Sequence, residues 1–164
     1  VPDHVDHLLA QWAVERPDLD VSAMGVVGRL ARVQRLVEAE LRTTFAAHDL
    51  DASSFDVLAT LRRNAAAGGL TPAALMRSAM VTSGAITQRL DRLEERGLVQ
   101  RSPSDADRRS VLVQLTEAGR ALVDETLPDH VATEDRLLAG LDAEQRELLA
   151  STLRTLLEHL GDEA

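Results

Sequence analysis

The chain contains no cysteine, which excludes disulfides, thiolate metal sites, zinc ribbons, a nucleophilic cysteine and thiol redox sensing together. Lysine is absent too: all 18 of its basic side chains are arginine, a bias that carries little functional weight. Aromatic residues are nearly missing, with Trp12, Phe45 and Phe55 the whole set. A core built from Leu, Val and Ala suits helices better than a β-sandwich. No run approaches the ~18 consecutive apolar residues of a membrane span. No basic segment followed by an apolar stretch opens the sequence, so the cytoplasm is the expected location and no membrane partner is expected. Glycine-rich phosphate loops, HExxH and any local pairing of a nucleophile with a base are lacking as well, so neither catalytic residues nor a cofactor are expected. His4 and His7, three apart, read better as a solvated helix face than as a metal site.

What is present is ample hydrophobic material, 45% of 164 residues, enough for about one globular domain. The net charge of −9 is unevenly spread. Between Thr71 and Thr116, seven arginines (77, 89, 92, 96, 101, 108 and 109) face five acids (91, 94, 95, 105 and 107), a local +2 that leaves −11 for the remainder. A mildly basic middle between acidic flanks permits binding of a polyanion through one face.

The chain reads as helices at both ends around a compact middle. Val5, Leu8, Leu9 and Trp12 share one helical face, and Pro17 ends that helix. Asp20 or Ser22 can cap a long second helix striped by Val26, Leu30, Val33, Val37, Leu41 and Phe45. Ser53 can cap a third, with Phe55, Leu58 and Leu61. Thr71-Pro72 is an N-cap with proline at the first helical position. Thr82-Ser83-Gly84 opens a helix that faces Ile86, Leu90 and Leu93 inward and closes at Gly97. Leu98–Arg101 and Ser110–Leu115 read as two short strands around a polar turn. Thr116 caps a further helix, expected to break near Pro128. Asp142 and Gln145 form a capping box for a last helix expected to bury Leu149, Leu153, Leu156 and Leu160.

Helix, turn, helix, strand, polar loop, strand is the order of a winged helix-turn-helix, so the expected fold is mainly α with a small β-wing. A recognition helix buries one face and offers small polar groups near its N-terminus to base edges. The candidates are Ser83, Thr87 and Gln88, with Gly84 allowing close approach to a phosphate and Arg92 one turn further on. Gln88 can pair with adenine and Thr87 can touch a thymine methyl. On the wing, Arg108 and Arg109 can enter a narrow minor groove, with Asp107 holding one guanidinium in place.

The stretch Leu70–Leu122 resembles the MarR family of bacterial transcriptional regulators. It has a Leu-Thr start, a serine-bearing turn, the exit Leu93-Glu94-Glu95-Arg96-Gly97-Leu98-Val99, a wing ending in Asp107-Arg108-Arg109 and a Leu-Thr-x-x-Gly close. The resemblance implies one domain over 1–164: N-terminal helices for dimerisation and ligand in 1–50, the winged helix-turn-helix in 51–116, and C-terminal dimerisation helices in 117–164. It implies a homodimer that reads a palindromic operator in double-stranded DNA, usually as a repressor, with Arg109 in the minor groove and Asp107 bracing it. The extra N-terminal helix with Trp12 is similar to the urate-responsive subgroup of that family. Trp12, Asp56, Arg89 and Arg101 match that subgroup's ligand set, which implies an anionic effector such as urate or a related purine. An indole can cover such a ring and a planar guanidinium can hold its charge. Asp56 can pair with Arg101 until the anion arrives. Aromatic acids or other carboxylates are the alternative effectors. A helical partner-binding protein without DNA binding is the rival of another class, against which Arg108-Arg109 speaks.

Overall fold

The computed structural model describes residues 1–79, 86–103 and 110–162, which fall into two compact units, Val1–Thr43 and Thr44–Ala164. In the first unit, helix α1 spans His4–Glu15 and helix α2 spans Ser22–Ala47, its last turn entering the second unit. Asp3 starts α1 by accepting hydrogen bonds from the Val5 and Asp6 amides, and the Asp6 carboxylate in turn accepts from the Asp3 amide. This reciprocal cap satisfies backbone donors that the first helical turn cannot. Arg29 of α2 pairs with Asp3 at 2.8 Å and with Asp6 at 2.6 Å, fixing the start of α1 on α2. Val5 is buried, whereas Trp12 is 43% exposed. The α2 stripe is split: Phe45 is buried, but Val26 and Val33 are exposed.

The second unit continues with α3 (Ala52–Arg63), a 3₁₀ turn (Ala65–Ala67), α4 (Pro72–Ser78), α5 (Ile86–Glu95), strands β1 (Val99–Pro103) and β2 (Val111–Leu115), α6 (Glu117–Leu137) and α7 (Ala143–His159). The strands form an antiparallel hairpin with Val99 opposite Leu115 and Pro103 opposite Val111. Leu70 adds a single bridge to the hairpin, exchanging both backbone hydrogen bonds with Val113. Leu58, Leu61, Leu75, Leu90, Leu93, Val99, Val113 and Val123 make the core. Aliphatic side chains fill most of it. Phe45 and Phe55 stack with centroids 4.5 Å apart, and His130 lies against both rings.

Local chemistry sets most boundaries. The Thr71, Thr116 and Asp142 side chains cap α4, α6 and α7. Gly97, at φ +69°, ends α5: its amide bonds to Glu94 and that of Leu98 reaches back to Leu93. That pairing is the left-handed helix stop in which glycine carries no Cβ penalty.

Three expectations need correction. Asp51, not Ser53, caps α3, accepting from the Ser54 amide at 2.7 Å; buried Leu50 and Phe55 flank that cap at the positions of a hydrophobic staple. Helix α6 does not break at Pro128 but runs through it. Proline costs a helix interior about 3 kcal/mol, and packing on both sides offsets it. Val123, Thr126 and Thr133 are buried, Thr133 shares a 2.8 Å hydrogen bond with Thr44, and Asp129 holds His48 at 2.8 Å. Finally, α7 buries none of its leucines: Leu149, Leu156 and Leu160 are exposed and Leu153 is half-buried.

Candidate nucleic-acid interface

The recognition helix is sorted by its own period. Ile86, Leu90 and Leu93 recur at three- and four-residue intervals and are buried, which turns Thr87, Gln88 and Arg92 outward. All three of these candidates are exposed, while Arg89 is half-buried. Ser83 and Gly84, and Asp107, Arg108 and Arg109 of the wing, lie outside the described residues.

The same helix carries three acids, Asp91, Glu94 and Glu95, a poor surface for DNA if left uncompensated. Arg101 of β1 answers two of them. Its guanidinium bonds to Asp91 at 2.6 Å and to Glu94, and its backbone amide donates to Glu94 at 3.1 Å. The hydrogen bond that Arg101 donates to Asp91 chiefly raises its pKa above the usual arginine value, so this cation is permanently charged. One side chain thus ties the recognition helix to the root of the wing and neutralises charge beside the presented face. The sequence reading missed Asp91 and Glu94 in this role. Their i, i+3 spacing on the helix is the signal, but only the hairpin's placement shows which cation they meet.

Asp56 stands on α3 beside a cleft of about 470 Å³ lined also by Phe55, Arg62, Asp124, Leu127 and His130. Arg62 and Asp124 pair there at 2.7 Å. Neither Arg89 nor Arg101 lines that cleft. Trp12 belongs to the other unit, where it lines a groove between α1 and α2. Among the described residues there is no cluster of three or more metal-ligating side chains, and no helix long and apolar enough to cross a membrane.

Helical units of this order, with a half-polar helix beside a two-stranded hairpin, define a winged helix-turn-helix DNA-binding regulator. Residues 48–110 match the MarR family. The chain is 40% identical to the transcriptional regulator PecS of Dickeya dadantii over 95% of its own length and 94% of that protein's. It is 30% identical to MhqR of Bacillus subtilis over 76% of this chain and 84% of that one. Among solved structures, an E. coli MarR mutant complexed with operator DNA superposes with a TM-score of 0.72 at 30% identity, covering 85% of this chain and 99% of that one. BpsR of Bordetella bronchiseptica, whose DNA binding is regulated by 6-hydroxynicotinic acid, also gives 0.72 at 30% identity, covering 80% and 91%. The protein belongs to the MarR family: it is a DNA-binding transcriptional regulator and not an enzyme.

Proposed function

We propose that the protein is a repressor that grips a palindromic operator as a homodimer and is released by a small planar organic anion, urate or a related purine. The observation that carries DNA recognition is the sorting of α5, with Thr87, Gln88 and Arg92 outward above a buried Ile86, Leu90 and Leu93. In this reading Ser83 and Gly84 also contact the operator, and Arg109, with Asp107 as its brace and Arg108 as its neighbour in sequence, serves the minor groove. The leucines exposed along α7 support pairing of subunits, because an apolar stripe of this size in water marks an interface. Twofold pairing places two recognition helices about 34–36 Å apart, one turn of duplex. The effector residues in this reading are Trp12, Asp56, Arg89 and Arg101. The site of action is the bacterial cytoplasm.

A second effector class is supported by the likeness to BpsR, regulated by an aromatic acid. Both classes are decided by one experiment: titrating the complex of protein and its own upstream DNA with urate, xanthine, hypoxanthine and small aromatic acids in a gel shift. The expected result is operator binding that weakens steeply with salt and is reversed by one of these classes. Binding that ignores salt, or a complex indifferent to every compound, overturns the proposal.

A further inference from the structure

Among the described residues, Asp49 is the one non-glycine with a positive φ, +54°. It stands just past the end of α2 at a helix stop: its amide bonds to the Ala46 carbonyl, and that of Leu50 reaches back to Phe45. Glycine fits such a stop without strain, as Gly97 does after α5, whereas any Cβ is disfavoured there. Packing does not compensate, because the Asp49 side chain is 95% exposed. Its neighbours serve other elements: His48 pairs with Asp129 of α6, Leu50 is buried, and Asp51 caps α3. Asp49 reaches α5, where its carboxylate accepts from Arg96 at 3.0 Å. Arg96 is rigidly part of that helix end, its own amide bonding to the Arg92 carbonyl at 3.1 Å. An ion pair this exposed adds little to folding, so stability does not account for an acid at a strained position.

We propose that Asp49 is a positioning residue for operator binding: by holding Arg96 it sets the tilt of α5, and so how Thr87, Gln88 and Arg92 meet the duplex. The proposal rests on the reading of α5 as the recognition helix. The Arg101 bonds tie α5 to the hairpin, and the Asp49 pair ties it to the joint between α2 and α3. Gln88 lies eight residues, about 12 Å, from Arg96. A tilt of about 10° at that end displaces Gln88 by roughly 2 Å, beyond the ~0.5 Å tolerance of a binding constellation. The sign of the effect is diagnostic. Removing an acid from a protein that approaches a polyanion strengthens binding if the acid acts by charge alone. Removing a positioning acid weakens it.

The test uses the full-length protein and its own upstream DNA. Asp49→Gly relieves the positive φ and removes the carboxylate; Asp49→Asn tolerates the same backbone and removes only the charge. Both are expected to keep a urea unfolding midpoint no lower than the parent's, yet to bind operator about five- to tenfold more weakly in a gel shift. Arg96→Gln should lose as much, with an unchanged salt dependence, and the double variant Asp49→Gly with Arg96→Gln should lose no more than either alone. Affinity that stays level or rises in both Asp49 variants overturns the proposal. So does a fall in the unfolding midpoint that tracks the lost binding, or losses that multiply in the double variant. A salt slope reduced by about one in Arg96→Gln does so too, since that marks a direct phosphate contact. Gln88→Ala reads the recognition surface separately. If it weakens binding while the Asp49 variants do not, the positioning role fails and the reading of α5 stands. If it leaves binding unchanged, the reading of α5 fails and takes the role of Asp49 with it.

Discussion

Gly119, in the first turn of α6, leaves no room for a side chain: a Cβ there would stand 1.9 Å from the Leu98 carbonyl oxygen. Since the obstacle is backbone just past the α5 stop, nothing flexible can yield. Gly119→Ala is therefore expected to destabilise the second unit by about 3 kcal/mol, the upper range for overpacking, measured by urea unfolding. At Asp3 the governing quantity is charge. Hydrogen bonds from the Asp6 and Val5 amides and from Arg29 hold its carboxyl below the usual aspartate value. Its contribution to folding is therefore complete above the ordinary pKa of ~3.9 and is lost as pH falls through the lowered one. Asp3→Asn keeps the cap and loses the ion pairs, so the acid unravelling of α1, followed through its amide resonances, should become shallower.

Among the elements, the tie between α5 and β1 has the most direct bearing on DNA. Glu94 accepts from both the Arg101 side chain and its backbone amide. Glu94→Gln should cost about 1 kcal/mol of stability, the scale of a net intramolecular hydrogen bond, and lower operator affinity by disturbing how helix and wing are held together. Unchanged affinity in a gel shift would separate this contact from recognition. Elements also show what a sequence can reveal. Caps at Thr71, Thr116 and Asp142 and the stop at Gly97 are local chemistry, and each was legible. The run of α6 through Pro128 was not, because its cause is packing by Val123 and Thr133 against residues far away in sequence. Two neighbouring cap formers, Asp51 and Ser53, compete on local grounds, and the burial of Leu50 and Phe55 favours the first. For the candidate site, the outward set Thr87, Gln88 and Arg92 followed from helical period alone. The partners of Arg101 required knowing where a hairpin folds.

For the whole molecule, α7 is the clearest case of a pattern legible in periodicity but misassigned in place. Its leucines repeat as a buried face would, yet the single chain leaves Leu149, Leu156 and Leu160 in water. In the proposed homodimer they are covered by the second subunit. Leu149→Asp combined with Leu156→Asp should leave each subunit folded by circular dichroism, halve the mass in sedimentation, and reduce operator binding at least about tenfold, since one subunit reads one half-site. Retention of the dimeric mass would place the interface elsewhere.

The bridge between Leu70 and Val113 joins the approach to α4 with β2 through main-chain atoms only. A push on the hairpin thus reaches the head of α4 through a pair of main-chain hydrogen bonds, beside the one that Gln114 of β2 donates to the Gly68 carbonyl. That main-chain path does not depend on the chemistry of the Leu70 side chain, whereas Val113 also belongs to the core.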